Sequence, residues 1–139
     1  MRTYKGKITA LNPNQIFVFG SNTEGRHGRG AARWAHRYAG AVYGVAYGPM
    51  GRSYAICTKD LNARLQPSIP PDQIVSQIRA LYLYALARPK LDFLVAYSGT
   101  GVNLNGYTPT EMAHMFSEAG EHGYPENVIF EERFSKLLY

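Results

Sequence analysis

Two short stretches of this chain combine glycine with polar and basic side chains more densely than an ordinary turn needs. Residues 20–30 (GSNTEGRHGRG) set Gly20, Gly25, Gly28 and Gly30 among Ser21, Asn22, Glu24, Arg26, His27 and Arg29. Residues 98–107 (SGTGVNLNGY) set Gly99, Gly101 and Gly106 among Ser98, Thr100, Asn103, Asn105 and Tyr107. Glycine lets backbone N–H groups approach an anion closely, and a helix that begins behind such a loop adds a partial positive charge. The chemistry this composition suits is phosphate capture, with Arg26, His27 and Arg29 as added donors and Arg33 one turn further on. Either loop alone also reads as a tight strand-to-helix turn whose glycines serve only its own geometry. The pair of them in one short chain favours a ligand.

Acid–base chemistry has fewer candidates. Glu24 is the only carboxylate of the first loop, and the second loop has none. Lys59 and Asp60 follow an apolar stretch and suit polar ligand contact or proton transfer, or else a plain surface turn. If the protein is an enzyme, Glu24 and Asp60 are the catalytic candidates. Ser98 lacks the G-x-S-x-G setting of a nucleophilic serine. His36, His114 and His122 have no metal-ligand spacing with one another or with carboxylates, so no metal is assigned. Cys57 sits inside an apolar run and reads as core. No Gly-Lys-Ser/Thr follows the glycines, which excludes a Walker A loop. Gly25-Arg26-His27-Gly28-Arg29-Gly30 misspaces the dinucleotide fingerprint, and no acidic residue follows about 20 residues on. Among the eleven tyrosines, Tyr43, Tyr47 and Tyr107 fall in or near loops and suit stacking on a base.

The elements that must hold these loops are legible from periodicity. Ile16–Phe19 and Ser53–Thr58 are short continuous apolar runs, as is the stretch Leu91–Tyr97, and all three read as buried strands. A last strand is expected over Asn127–Phe130. Residues Ala31–Ala39 suit a helix with Ala31, Trp34, Ala35 and Tyr38 inward. Pro71–Ala87 should be a longer helix with Ile74, Ile78, Leu81 and Ala85 on one face, and Tyr82 and Tyr84 at the core edge or a partner surface. Thr108-Pro109-Thr110-Glu111 opens a helix with a capping box, carrying Met112, Met115, Phe116 and Ala119. Residues 40–52 are expected to be loop with a short extended piece, and the tail from Glu131 a short helix. Strands alternating with helices imply an α/β fold, a largely parallel sheet covered on both faces, in one domain over residues 1–139.

Composition bounds the rest. A hydrophobic share of 45% supports one ordinary core in 139 residues, and 18% charged residues is too few for a disordered chain. No apolar run reaches the roughly 18 residues that span a bilayer, and the polar start does not read as a signal peptide. One cysteine allows no internal disulfide, so a reducing cytoplasm is the expected location. Residues 1–64 carry ten Lys/Arg against Glu24 and Asp60, whereas residues 65–139 carry five against eight carboxylates. A cationic first half suits an anionic ligand. Glycines interrupt those cations, which argues against a duplex-wide nucleic-acid footprint.

The run Phe17-Val18-Phe19-Gly20-Ser21-Asn22, its glycine loop and the Ala-rich helix behind it resemble the first ligand segment of macro domains. Ala96-Tyr97-Ser98-Gly99-Thr100-Gly101, followed by Gly106-Tyr107 and a helix, is similar to their second, phosphate-cradling loop. The run FVFGSN-x-x-GRHG-x-GAA, with YAI-x-TKD downstream, also resembles short macro-like proteins of phages and bacteria. The likeness covers roughly residues 14–107. It implies a three-layer α/β/α macro-domain-like fold with a pocket for ADP-ribose or another NAD-derived nucleotide, and no cofactor. By position, Asn22 would approach the ribose beside the diphosphate. Gly25, Gly28 and Gly30 would line the first loop, and Ser98–Gly101 would hold phosphate through backbone N–H groups. The expected ligand set is completed by Gly20, Ser21, Arg26, His27, Lys59, Asn103 and Tyr107. In a phage, such a protein would sequester a signalling nucleotide in the host cytoplasm as an anti-defence device. A binding module ranks first, an ADP-ribosyl hydrolase or nucleotide phosphoesterase second, and a nucleic-acid binder a distant third. A homo-oligomer stays open.

Overall fold

Alternation of side chains between two buried faces organises the sheet. In the computed structural model, which describes residues 1–97 and 105–139, Val18, Tyr54, Ile56, Phe93, Val95, Val128 and Phe130 enter one hydrophobic cluster. Their neighbours Phe17, Phe19 and Ala55 enter a second cluster on the opposite face. Strands buried on both faces need helices on both sides, and the chain supplies them.

In chain order the strands are β1 (Thr3–Tyr4), β2 (Gln15–Asn22), β3 (Gly48–Met50), β4 (Ser53–Lys59), β5 (Asp92–Val95) and β6 (Val128–Glu131). The helices are α1 (Gly30–Tyr38), α2 (Pro71–Leu86), α3 (Pro109–Ala119) and α4 (Glu132–Ser135). The sheet order is β1-β6-β5-β2-β4-β3. Every neighbouring pair is parallel except β3 with β4, which is antiparallel. Helix α1 packs on one face, and α2, α3 and α4 pack on the other. The fold is α/β with a mostly parallel central sheet, compatible with three α/β/α layers. No helix among the described residues is long and apolar enough to cross a membrane.

Four expectations change. Helix α1 buries Ala32 and Ala35, with its C-cap Ala39; of the expected stripe Ala31, Trp34, Ala35 and Tyr38, only Ala35 is fully buried. The three alanines let α1 settle closely over Phe17 and Phe19, and Trp34 lies at the helix edge, its ring 4.7 Å from that of Phe17. Tyr38 is left 62% exposed. Second, Gly20, Ser21 and Asn22 continue β2 instead of starting a loop, because Ile56, Cys57 and Lys59 of β4 pair with them. Third, Tyr82 is a core residue whose hydroxyl donates to the Phe116 carbonyl at 2.8 Å, and burial pushes its pKa up. Fourth, β1 has no apolar signature in the sequence. It forms beside β6 and is tied down by Arg2, which bonds both carboxylate oxygens of Asp92 at 2.9 and 2.8 Å.

Helix ends follow local chemistry. Thr108 and Glu111 close the expected capping box on α3. The Asn127 amide holds the end of α2 by donating to the carbonyls of Ala85, Arg88 and Leu91 at 2.8–3.0 Å.

Candidate functional site

Strands β2 and β5 are adjacent and parallel, yet their following segments lead to helices on opposite faces, α1 and α3. A crevice opens where such connections diverge, beyond the carboxyl ends of the strands. A cleft of about 750 Å³ lies there. The end of β2 supplies Gly20, Ser21 and Asn22, and the end of β4 supplies Thr58 and Lys59. The entry to α1 supplies Arg26, Gly28, Arg29, Gly30, Ala31 and Ala32. Val95, Ala96 and Tyr97 come from the end of β5, Asn105 precedes α3, and Tyr43 reaches in from the segment between α1 and β3.

The cationic side of the cleft is built around the start of α1. The first N–H groups of a helix have no intrahelical partner, and the N-cap, Arg29, makes no side-chain hydrogen bond to them. Arg26, Arg29 and Lys59 add full positive charge, and no carboxylate lines the cleft among the described residues. Such a wall favours an anion, phosphate above all.

Local hydrogen bonding explains the loop. The Asn22 side chain accepts from the Arg26 N–H at 2.9 Å and donates to the Arg26 carbonyl at 2.8 Å. The Gly25 N–H bonds the Asn22 carbonyl at 2.9 Å. Gly25 adopts φ +63°, and a Cβ there would meet Gly44 and Val45 backbone atoms at 2.4 Å, so only glycine fits. A Cβ on Gly28, by contrast, would meet nothing within 4 Å. The end of β4 is held from α2: Gln77 accepts from the Cys57 N–H at 2.7 Å and donates to its carbonyl at 2.8 Å. This substitutes for a strand neighbour, since β3 pairs only as far as Ala55. Cys57 itself is buried, and that burial raises its thiol pKa.

Several sequence-selected residues have other places. His27 does not line the cleft. It is 2% exposed, donates from Nε2 to the Val42 carbonyl at 2.9 Å, and packs edge-on against Phe19 and Tyr43. Its Nδ1 has no hydrogen-bond partner among the described residues. An imidazole is apolar enough in its ring to fill the space under the loop, and that packing outcompetes exposure to an anion. Tyr107 is buried too, its hydroxyl bonded to the Ile69 carbonyl, so it offers no stacking face. Ser21 stays on the cleft lining, but it is buried and its hydroxyl donates to the Ala46 carbonyl. Glu24 is off the cleft lining and pairs with Arg26 at 3.3 Å. Asp60 is also off the lining. Its Oδ1 accepts from the Asn62 N–H at 2.9 Å and the Thr23 hydroxyl at 3.3 Å, which shapes a turn. Ser98, Gly99, Thr100, Gly101 and Asn103 lie outside the described residues. Tyr47 is exposed and off the cleft lining, whereas Tyr43 is on it.

Thr58, Leu61 and Met112 line the cleft without having been singled out as ligand contacts, and Asn105, one of the second loop's polar groups, lines it as well. Thr58 and Leu61 flank the selected Lys59 and Asp60, and strand parity alone was available to choose among them. Among the described residues no group of three or more His, Cys, Asp or Glu could hold a metal ion. No family model matches the chain, and no curated protein matches it.

Proposed function

We propose that the protein binds an ADP-ribose-type or other NAD-derived, phosphate-bearing nucleotide in the cleft between β2 and β5. The observation that carries this reading is the cleft wall. The N-cap Arg29 gives the α1 start no side-chain cap, Arg26, Arg29 and Lys59 line the cleft, and no carboxylate does so among the described residues. A diphosphate at the α1 entry would be met by N–H groups and three cations, and Tyr43 offers an exposed ring for a base. The resemblance of the two loops to those of macro domains points to the same ligand class. A hydrolase reading has less support, because Glu24 is engaged by Arg26 and Asp60 by its own turn, away from the cleft lining. In a phage, capture without cleavage would suffice to sequester a signalling nucleotide.

Thermal shift against ADP-ribose, NAD, ADP and cyclic nucleotides tests the reading. A ligand at a hundredfold excess over its Kd stabilises the native state by about 2.7 kcal/mol, a rise of several degrees in Tm. No shift with any phosphate-bearing nucleotide would overturn it.

A further inference from the structure

A second groove, of about 510 Å³, runs along α1 beside the N-terminal segment and shares Gly30, Ala31, Ala96 and Tyr97 with the cleft. Helix geometry gives it two parallel rows. Arg33 and Arg37 stand four residues apart on α1, and so do Trp34 and Tyr38, each pair about 6 Å apart along the axis. Lys7 of the N-terminal segment and Arg133 of α4 add further cations, and no carboxylate lines the groove among the described residues. Arg133 is engaged by Glu131, but Lys7, Arg33 and Arg37 have no ion pair among the described residues. Trp34 is half-buried and Tyr38 exposed, their rings 5.4 Å apart.

We propose that this groove takes the second nucleotide of a single-stranded oligonucleotide whose first nucleotide occupies the cleft. The proposal rests on the nucleotide reading of the cleft and extends it. A cation row beside an aromatic row suits a chain that alternates phosphate with flat bases, since phosphates pair with arginine and any base stacks on an aromatic ring. Continuity matters as much as composition. A phosphate at the start of α1 lies on the rim that both hollows share, so a chain leaving the cleft passes directly onto the Arg33 and Trp34 side of the helix.

The chain has one tryptophan, so its fluorescence reports Trp34 alone. The test is titration with ADP-ribose, ADP and 5′-phosphorylated tetra-adenylate, read by calorimetry and by Trp34 emission. Tetra-adenylate should bind about tenfold or more tighter than ADP, the scale of one added stacked base, and should quench Trp34 where ADP does not. Neutralising both exposed arginines, neither of which lines the cleft (Arg33→Gln with Arg37→Gln), should cost tetra-adenylate at least that factor and leave ADP affinity within about twofold. Equal affinity for ADP and tetra-adenylate overturns the groove while the cleft stands. Equal losses for both ligands in the double variant overturn it as well. If neither ADP-ribose nor ADP gives any heat with the unaltered protein, the cleft reading fails, and the proposed anchoring of the chain fails with it.

Discussion

Asn22 and Arg26 are locked together by two hydrogen bonds, one from the Arg26 N–H to the Asn22 side-chain oxygen and one from the Asn22 amide to the Arg26 carbonyl. The asparagine that the sequence suggests as a ribose contact therefore also builds the loop that presents Arg26 and Gly28 to the cleft. Asn22→Ala removes both bonds, each worth about 0.5–1.5 kcal/mol net. We expect a stability loss of about 1–2 kcal/mol in urea unfolding, and weaker ADP-ribose binding by calorimetry. Asn22→Asp keeps the acceptor but loses the donor and should fall between. An alanine variant with unaltered affinity would remove this loop from the site.

Gly25 and Gly28 separate fold from ligand. Gly25→Ala drives a Cβ into the Gly44–Val45 backbone at a positive φ, so it should lower Tm and slacken the whole loop. Gly28 has open space at its Cβ position and no positive φ, so Gly28→Leu should fold with Tm almost unaltered while filling part of the cleft. Nucleotide affinity should drop at least tenfold, about 1.4 kcal/mol. Full affinity in Gly28→Leu would place the ligand elsewhere.

Glu131 gives the fold a defined acid sensitivity. Burial by itself would raise its pKa, but hydrogen bonds from the Gly6 N–H, the Arg133 side chain and the Arg133 and Phe134 N–H groups outweigh burial and hold it below the ordinary carboxylate value. A lowered native pKa means that the unfolded chain takes up the proton first. The stabilisation is therefore complete above the unfolded value of about 4.3 and is lost as pH falls through the native one. Glu131→Gln should lower Tm at pH 7, and the gap to the parent protein should narrow below about pH 4. A gap that stays constant from pH 7 to pH 3 would show that packing, not charge, is what the substitution removes.

Asn127 is the expected weak point of the opposite end of the sheet. One amide serves three carbonyls at the close of α2, and Asn127→Ala strands them in a buried setting. A loss of about 2 kcal/mol or more is expected by chemical denaturation, with ADP-ribose affinity per folded molecule unaltered.

Binder and enzyme are separated by what happens to the ligand. With no carboxylate on the cleft lining among the described residues, ADP-ribose incubated with excess protein should be recovered intact after denaturation. A cleaved product that disappears in Glu24→Gln or Asp60→Asn would reverse that conclusion. Product that survives both substitutions would point to a different catalytic group.

The apolar runs and helix caps were decided locally. Phe17 to Phe19, Ser53 to Thr58 and the Thr108–Glu111 box meet their fate through alternation and one-turn hydrogen bonding, which neighbours in sequence are enough to specify. The two glycine-rich segments also stand out locally, because glycine density is visible in the sequence without any tertiary contact. What the sequence left open were choices between faces and distances. His27 carries the same donors whether buried or exposed, and only the space under the loop, walled by Phe19, Tyr43 and Val42, selects burial. Helix α1 has two nearly equivalent stripes, and the bulk of Phe17 and Phe19 beneath it selects the alanine one. Neither β1 nor the pairing of β2 with β5 has a local signal, because both depend on strands distant in sequence. That last pairing brings the two ends of the crevice together. Residue types fix the chemistry each segment carries, whereas the order of strands in the sheet fixes which segments meet around one cleft.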